Sequence, residues 1–276
     1  GLVAVHVDCW EGFLFVNLDT APGLSLATHL GEIKDLYDGY FNSLALMGRY
    51  SWDMNINWKL FMDVSVEGYH GACVHRDSIA DQFCETGNPN LNLPSIRLYE
   101  KHRTVSIPAD LTRQPKPLEG LSYKFGSGSS YIPTKELNLS DGLPPGVNPD
   151  RVGSWAFDIL SLTPNVIFLT GRGVCVLMHM WPLAVGRTRV ESRIYLNPPQ
   201  TMAQRVGAEY TATMLRDVIR EDSDTLEPIQ QMLESGALSE MQLSDQEIAC
   251  RHFHQVLDRM IGKVETPAVR EHTNVA

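Results

Sequence analysis

The chain has 276 residues, enough to bury one large core or two small ones. Its 33 acidic against 23 basic side chains give a formal net charge of −10, which argues against a sequence-independent grip on nucleic acid. There is no Lys/Arg run and no long apolar stretch, so neither a membrane span nor a basic membrane patch is expected.

Five scattered cysteines, Cys9, Cys73, Cys84, Cys175 and Cys250, are odd in number. They argue against a disulfide framework and fit a reducing, cytoplasmic compartment. The chain opens Gly1-Leu2-Val3 with no Met and no signal-peptide pattern, which reads as a fragment or a processed start.

From the N-terminus, Leu2 to His6 and Phe13 to Asn17 read as short strands around a turn at Trp10-Glu11-Gly12. The second strand is nearly all apolar and is expected to be buried. Ser25 to Tyr37 reads as a helix with Leu26, Leu30, Ile33 and Tyr37 on one face. Leu44 to Ile56 reads as one or two strands. Ile96 to Glu100 and Thr104 to Ile107 alternate like a hairpin.

Residues 108–153 change character, with seven prolines and the run Gly126-Ser127-Gly128. The stretch is expected to be an irregular loop or insertion, either a functional lid or a surface excursion. Trp155 to Leu160, Val166 to Leu169, Val174 to Trp181 and Arg187 to Leu196 read as an antiparallel meander, with turn signals at Gly171-Arg172-Gly173 and Val185-Gly186. His179 falls in its third strand, where a packed or surface histidine is the ordinary case. Ala203 to Arg220 and Ser244 to Ile261 read as amphipathic helices.

Chemistry concentrates in two places. The first runs from Asn57-Trp58-Lys59 to Asp77 and carries Glu67, His70 and His75. On one helix Asp63, Glu67, His70 and Val74 would share a stripe. His75, five residues after His70, would be rotated about 140° away. The helix must therefore end or unwind between the histidines for both to reach one metal, and Gly71 offers a place for it. A histidine pair alone is more often structural than ligating.

The second place is Asp222, which continues the apolar stripe of Leu215, Val218 and Ile219. A carboxylate there must be neutral, paired or metal-bound, or else a helix-junction cap. Glu221, Ser223 and Asp224 point away and read as solvent or cap residues, with Asp224 and Glu227 able to open a second helix as a capping box. Two imidazoles and one carboxylate suit Fe(II) with open coordination positions, but Zn, Mn and Co accept the same donors.

The stretch NWKLFMDVSVEGYHGACVH resembles the active-site segment of the catalytic, C-terminal domain of Rieske non-haem iron ring-hydroxylating oxygenase alpha subunits. The likeness extends to Glu221-Asp222 with Glu227 and Gln230, to Trp10–Asp19, which is similar to the family's lead into the catalytic domain, and to the final helix with Glu247, Phe253 and His254. It implies an α+β helix-grip fold, a curved antiparallel sheet packed on a long C-terminal helix, in one catalytic domain spanning 1–276. It further implies His70, His75 and Asp222 as iron ligands. Glu67 stands where the family keeps its bridging acid, mostly Asp, which relays electrons from the Rieske cluster of a neighbouring subunit. Asp63 stands where many members have Asn, and its role is left open.

Cys73-Val74-His75 and Cys250-Arg251-His252 do not make a Rieske [2Fe-2S] pattern, so that cluster is expected in a missing N-terminal domain or another chain. The implied partners are O2, an apolar or aromatic substrate, NAD(P)H through a reductase, in some systems a ferredoxin, and two further copies in a homotrimer. Met62, Val66 and Val74 flank the ligands in sequence; the substrate-binding residues are not legible. Two rival readings are a metal-free helix-grip binder of apolar ligands, in which the triad would not converge, and a zinc hydrolase with Glu67 as general base.

Overall fold

The computed structural model describes residues 4–84, 87–126, 142–238 and 240–262. Its centre is a seven-stranded antiparallel sheet in the order β3-β9-β8-β7-β6-β5-β4. The strands are β3 (Ala45–Met54), β4 (Ser95–Leu98), β5 (Arg103–Pro108), β6 (Trp155–Leu162), β7 (Val166–Gly171), β8 (Val174–Ala184) and β9 (Arg187–Leu196). The expected hairpin and meander are present, and β6 through β9 pair consecutively. The first strand of the sheet by sequence, β3, closes against the last, β9.

Alternation along the strands puts side chains on two faces, and each face has its own core. One face carries Val176, Met178, Met180, Val190 and Ile194, which pack with Leu215, Ile219 and Leu226 of the long helix α7 (Met202–Glu234) and with Phe253 of α8 (Ile248–Ile261). The opposite face carries Leu160, Phe168, Cys175 and Leu177, packed with Trp10, Leu30, Ile33 and Phe41. Each fully buried Leu or Ile stabilises the fold by about 1.5–3 kcal/mol. The arrangement is the expected helix grip, a curved sheet holding one long helix.

Three local expectations change. The opening pair forms as β1 (His6–Trp10) and β2 (Phe13–Asn17), but β2 is largely exposed, with Leu14 at 75% and only Phe13 and Phe15 turned to the core. A two-stranded ribbon lying on the body has one free face, so an apolar run there does not mean burial. The ribbon turns at Glu11 and Gly12, both at positive φ, as a tight hairpin requires. Next, the single helix read over 25–37 is two short ones, α1 (Leu26–Leu30), N-capped by Ser25, and α2 (Ile33–Leu36). Gly31, at φ 55°, divides them. Lastly, α7 is continuous for 33 residues, so no second helix opens at Asp224. Instead Glu227 Oε1 accepts from the Asn55 N–H and Gln230 Oε1 from the Asn57 N–H, both at 2.8 Å.

Within 108–153 a helix, α6 (Pro117–Phe125), packs beside α7 and is anchored by Glu119, which is buried and paired to Arg113 at 2.8 Å. Residues 127–141 of that stretch lie outside the described residues. Among the described residues no helix is long and apolar enough to cross a membrane.

Candidate metal centre

The segment from Asn57 folds as two short helices rather than one. Asn57 caps α3 (Trp58–Val64), its side chain accepting from the Lys59 N–H at 3.1 Å. The helix ends at Ser65, and a second, α4 (His70–Val74), begins after a five-residue break. The break therefore lies before His70 and not at Gly71, which sits inside α4. Gly68 explains the position: a Cβ there would stand 2.4 Å from the Leu91 carbonyl oxygen. His75 is the C-cap of α4 at φ −93°, ψ 19°, so the helix does end at the second histidine.

This break removes Asp63 from the stripe it would share with Glu67 and His70 on an unbroken helix. Asp63 instead accepts from His254 Nε2 of α8 at 2.9 Å, and that contact raises the His254 pKa despite its partial burial.

Across α7, His70, His75 and Asp222 converge, with their ligand atoms all within 4.8 Å of one another. Asp222 Oδ1 lies 3.1 Å from His75 Nε2 and 3.6 Å from His70 Nε2. The two rings are 5.3 Å apart at 71°. Asp222 Oδ1 is buried and has no hydrogen-bond partner, a costly arrangement unless something else meets it.

Each imidazole is held from behind by a glutamate. Glu67 Oε1 lies 2.5 Å from His70 Nδ1, and Glu67 Oε2 accepts from the His70 N–H at 3.1 Å. Glu221 Oε2 lies 2.8 Å from His75 Nδ1. With Nδ1–H donated to a carboxylate, the neutral ring carries its lone pair on Nε2, the atom facing Asp222. Burial pulls both histidine pKa values down, but for His70 the Glu67 bond with the Asp222 charge, and for His75 the Asp222 contact with the Glu221 bond, outweigh it, so both stand above the ordinary value.

The donor set fits a metal ion. Metal–ligand bonds of about 2.1 Å place ligand atoms at 90–120° about 3.0–3.6 Å apart, which the two measured separations match. Two imidazole nitrogens and one unpartnered carboxylate oxygen lie within 4.8 Å of one another, and three protein ligands leave other positions open.

Two readings from sequence need correction here. Glu221 is part-buried and turned to the site: it is one of its closest contacts, and Ser78 Oγ donates to its Oε2 at 2.5 Å. Neighbouring helix positions diverge by about 100°, which hid the role, since only the placement of His75 against the flank of α7 lets Glu221 reach it. The helix-junction alternative for Asp222 also falls, because α7 runs through it unbroken. His179 takes no part in the site; it stacks on Trp181 at 3.7 Å, opposite Glu191 on β9.

A helix-grip fold with two histidines and an aspartate converging between helices presents a donor set of the kind that holds a single metal ion. The family model for the ring hydroxylating alpha subunit (catalytic domain) matches residues 41–263, and the chain belongs to that family. Its relatives include mono- and dioxygenases. The anthranilate 1,2-dioxygenase large subunit of Acinetobacter baylyi is 30% identical over 86 residues, 29% of this chain and 18% of that protein. The quaternary ammonium Rieske monooxygenase CntA superposes with a TM-score of 0.65 at 16% identity, over 92% of this chain and 61% of that one. Naphthalene 1,2-dioxygenase from a Rhodococcus species gives 0.63 at 17% identity, over 95% and 67%. At these identities the solved structures speak for the fold alone. The chain thus spans about three fifths of CntA and a smaller part of the anthranilate enzyme.

Proposed function

We propose that the chain is the catalytic domain of a Rieske-type mono- or dioxygenase, with a mononuclear Fe(II) held by His70 Nε2, His75 Nε2 and Asp222. The observation that carries this reading is the convergence of the three ligand atoms around an unpartnered buried carboxylate oxygen, in a chain of this family. Bound there, ferrous iron would supply reductive activation of O2 at its open coordination positions, for hydroxylation or oxidative demethylation of an apolar or aromatic compound.

The protein's own residues do the rest. His70, His75 and Asp222 bind and orient. Glu67 fixes the His70 ring and stands as the bridging acid, which would pass electrons toward His70 from a Rieske [2Fe-2S] cluster of a neighbouring subunit. Those electrons would come from NAD(P)H through a reductase, with a ferredoxin in some systems, and the cluster would be held by an N-terminal domain or another chain. Transfer between subunits fits a homotrimer and a cytoplasmic enzyme. Met62 and Val66 are buried in the hydrophobic core beside this segment. The metal-free ligand binder required the triad not to converge, and it does converge. The zinc hydrolase requires Glu67 free to act on water, whereas both its oxygens are engaged by His70.

The test is metal content after anaerobic purification with added Fe(II). About one iron per chain is expected, lost in His70→Ala and in Asp222→Ala with the fold retained. Full iron content in either variant, or selective uptake of zinc with hydrolytic activity, would overturn the assignment.

A further inference from the structure

We propose that Glu221, braced by Ser78, is a positioning residue that locks the His75 imidazole with Nε2 aimed at the metal position; the inference rests on the triad reading above. Glu221 and Asp222 are consecutive residues of α7, and both reach the same ring from different sides. Asp222 Oδ1 lies 3.1 Å from Nε2, and Glu221 Oε2 lies 2.8 Å from Nδ1. The ring is gripped edge to edge between neighbouring residues of one helix. Its side chain is only 7% exposed.

The second observation is how the carboxylate is itself held. Ser78 Oγ donates to Glu221 Oε2 at 2.5 Å. Ser78 belongs to the turn that follows His75, whose carbonyl accepts from the N–H groups of Ser78, Ile79 and Ala80 at 2.9–3.1 Å. The His75 backbone and the His75 ring are thus tied to one another through Ser78 and Glu221. Rotation of the ring about χ2 would break the Nδ1 bond and leave Glu221 with only the Ser78 hydroxyl.

The arrangement differs in kind from that at His70. Glu67 lies in the break just before the short helix that opens at the histidine it holds, three residues away in the same segment, so that pair can move as a unit. Glu221 comes from α7 and fastens the histidine segment to the helix that carries the third ligand. It therefore sets the distance between the two halves of the site as well as the orientation of one ring. Outer partners of this kind typically contribute 10- to 100-fold in metal affinity.

The test measures Fe(II) affinity by anaerobic chelator competition, and the visible spectrum of the Co(II)-loaded protein, for the full chain and its Glu221→Ala, Glu221→Gln, Ser78→Ala and His70→Ala variants. Glu221→Ala is expected to weaken Fe(II) binding by about 10- to 100-fold and to shift the Co(II) bands. Far-UV circular dichroism should be unchanged. Glu221→Gln keeps an acceptor oxygen and should fall between wild type and Ala, and Ser78→Ala should move the same way by less. Wild-type affinity and an unshifted Co(II) spectrum in Glu221→Ala would reduce the contact to a surface ion pair and overturn the proposal. Should Glu221→Ala not fold, Glu221→Gln and Ser78→Ala decide: wild-type behaviour in both overturns it, and graded loss supports it. His70→Ala separates the two readings, because undiminished metal binding there removes the triad itself, whereas its loss beside an intact Glu221→Ala site removes only the role of Glu221.

Discussion

Glu67 directs both carboxylate oxygens at one residue, one to the His70 ring and one to its backbone N–H. That double contact makes the ring and the acid a single rigid unit at the edge of the site, with the Glu67 side chain 10% exposed. Under the proposed function, this is the group that would carry electrons from another subunit toward His70. Glu67→Gln preserves shape and hydrogen-bonding length but removes the charge. We expect iron occupancy near the wild-type level and a fall of more than about tenfold in turnover coupled to a reduced Rieske partner. Stopped-flow reoxidation of the partner cluster against product formed would measure it, and normal coupled turnover would take Glu67 off the route. Asp63 shows the opposite lesson. Its place in the sequence suggested the site, yet its carboxylate meets His254 on α8, and its role is to fasten α3 to the final helix.

At the level of elements, the site depends on a break. On a helix continuous through both, the two histidines would lie about 140° apart, but α4 ends at His75, which departs from helical geometry there. The five residues between α3 and α4 set the direction of the short helix that opens at His70. Gly68 lies in that break under the Leu91 carbonyl, with Leu93 Cδ2 also 2.9 Å from the position of an added Cβ. Backbone cannot yield as a side chain can. Gly68→Ala should therefore destabilise the protein by about 1–3 kcal/mol and displace Glu67 and His70, read as a lower denaturant midpoint together with weaker Fe(II) binding. Unchanged values of both would mean that the break is set elsewhere. The long helix contributes a different kind of control. Thr201 and Gln204 cap its start reciprocally, and Glu227 and Gln230 hold the backbone N–H groups of the turn before α3. The same helix thus carries Asp222 and also anchors the start of the segment that leads to His70 and His75.

The whole molecule is tied together on the far face of the sheet by His102. Its Nε2 lies 2.8 Å from the His29 carbonyl oxygen, and its Nδ1 accepts from the Thr163 N–H at 3.1 Å. This pins the neutral tautomer, because a proton on Nδ1 would face another donor. Burial, with the nearby His29, Lys101 and Arg103 charges, outweighs the bond to the His29 carbonyl and pushes the His102 pKa down to about 4. The unfolded chain takes up this proton near the ordinary value of 6.5. Stability from this group is full above that value and is lost as pH falls from 6.5 toward 4, by up to about 3 kcal/mol. Asp158 acts in the other direction. Burial raises its carboxyl to about 7 even though Ser106, Asn148 and Trp155 donate to it, so its contribution is present at low pH and falls as pH rises toward 7. Comparing wild type with His102→Gln isolates the histidine: the variant should start less stable at pH 7 and show a flatter loss between pH 6.5 and 4. Parallel pH profiles of the two denaturation midpoints would refute the assignment.

Much of this was legible in the chain alone. The alternation over 155–196 dictated consecutive antiparallel strands, because period-two apolar side chains bury only one way on a pleated sheet. Asp222 stood out because a carboxylate on an apolar helical stripe needs a partner, and His70, His75 and Glu67 stood out by residue type and motif. What the sequence could not give was direction. The exposure of β2 depends on the ribbon lying at the surface, the continuity of α7 on its packing over the sheet, and the departure of Asp63 on a backbone break forced by Leu91. Glu221 is the clearest case. By helical rotation it should face away from Asp222's partners, and only the approach of a distant turn against the flank of α7 puts a histidine within its reach. Local pattern determined which residues are costly to bury unpaired; long-range packing decided which of them meet.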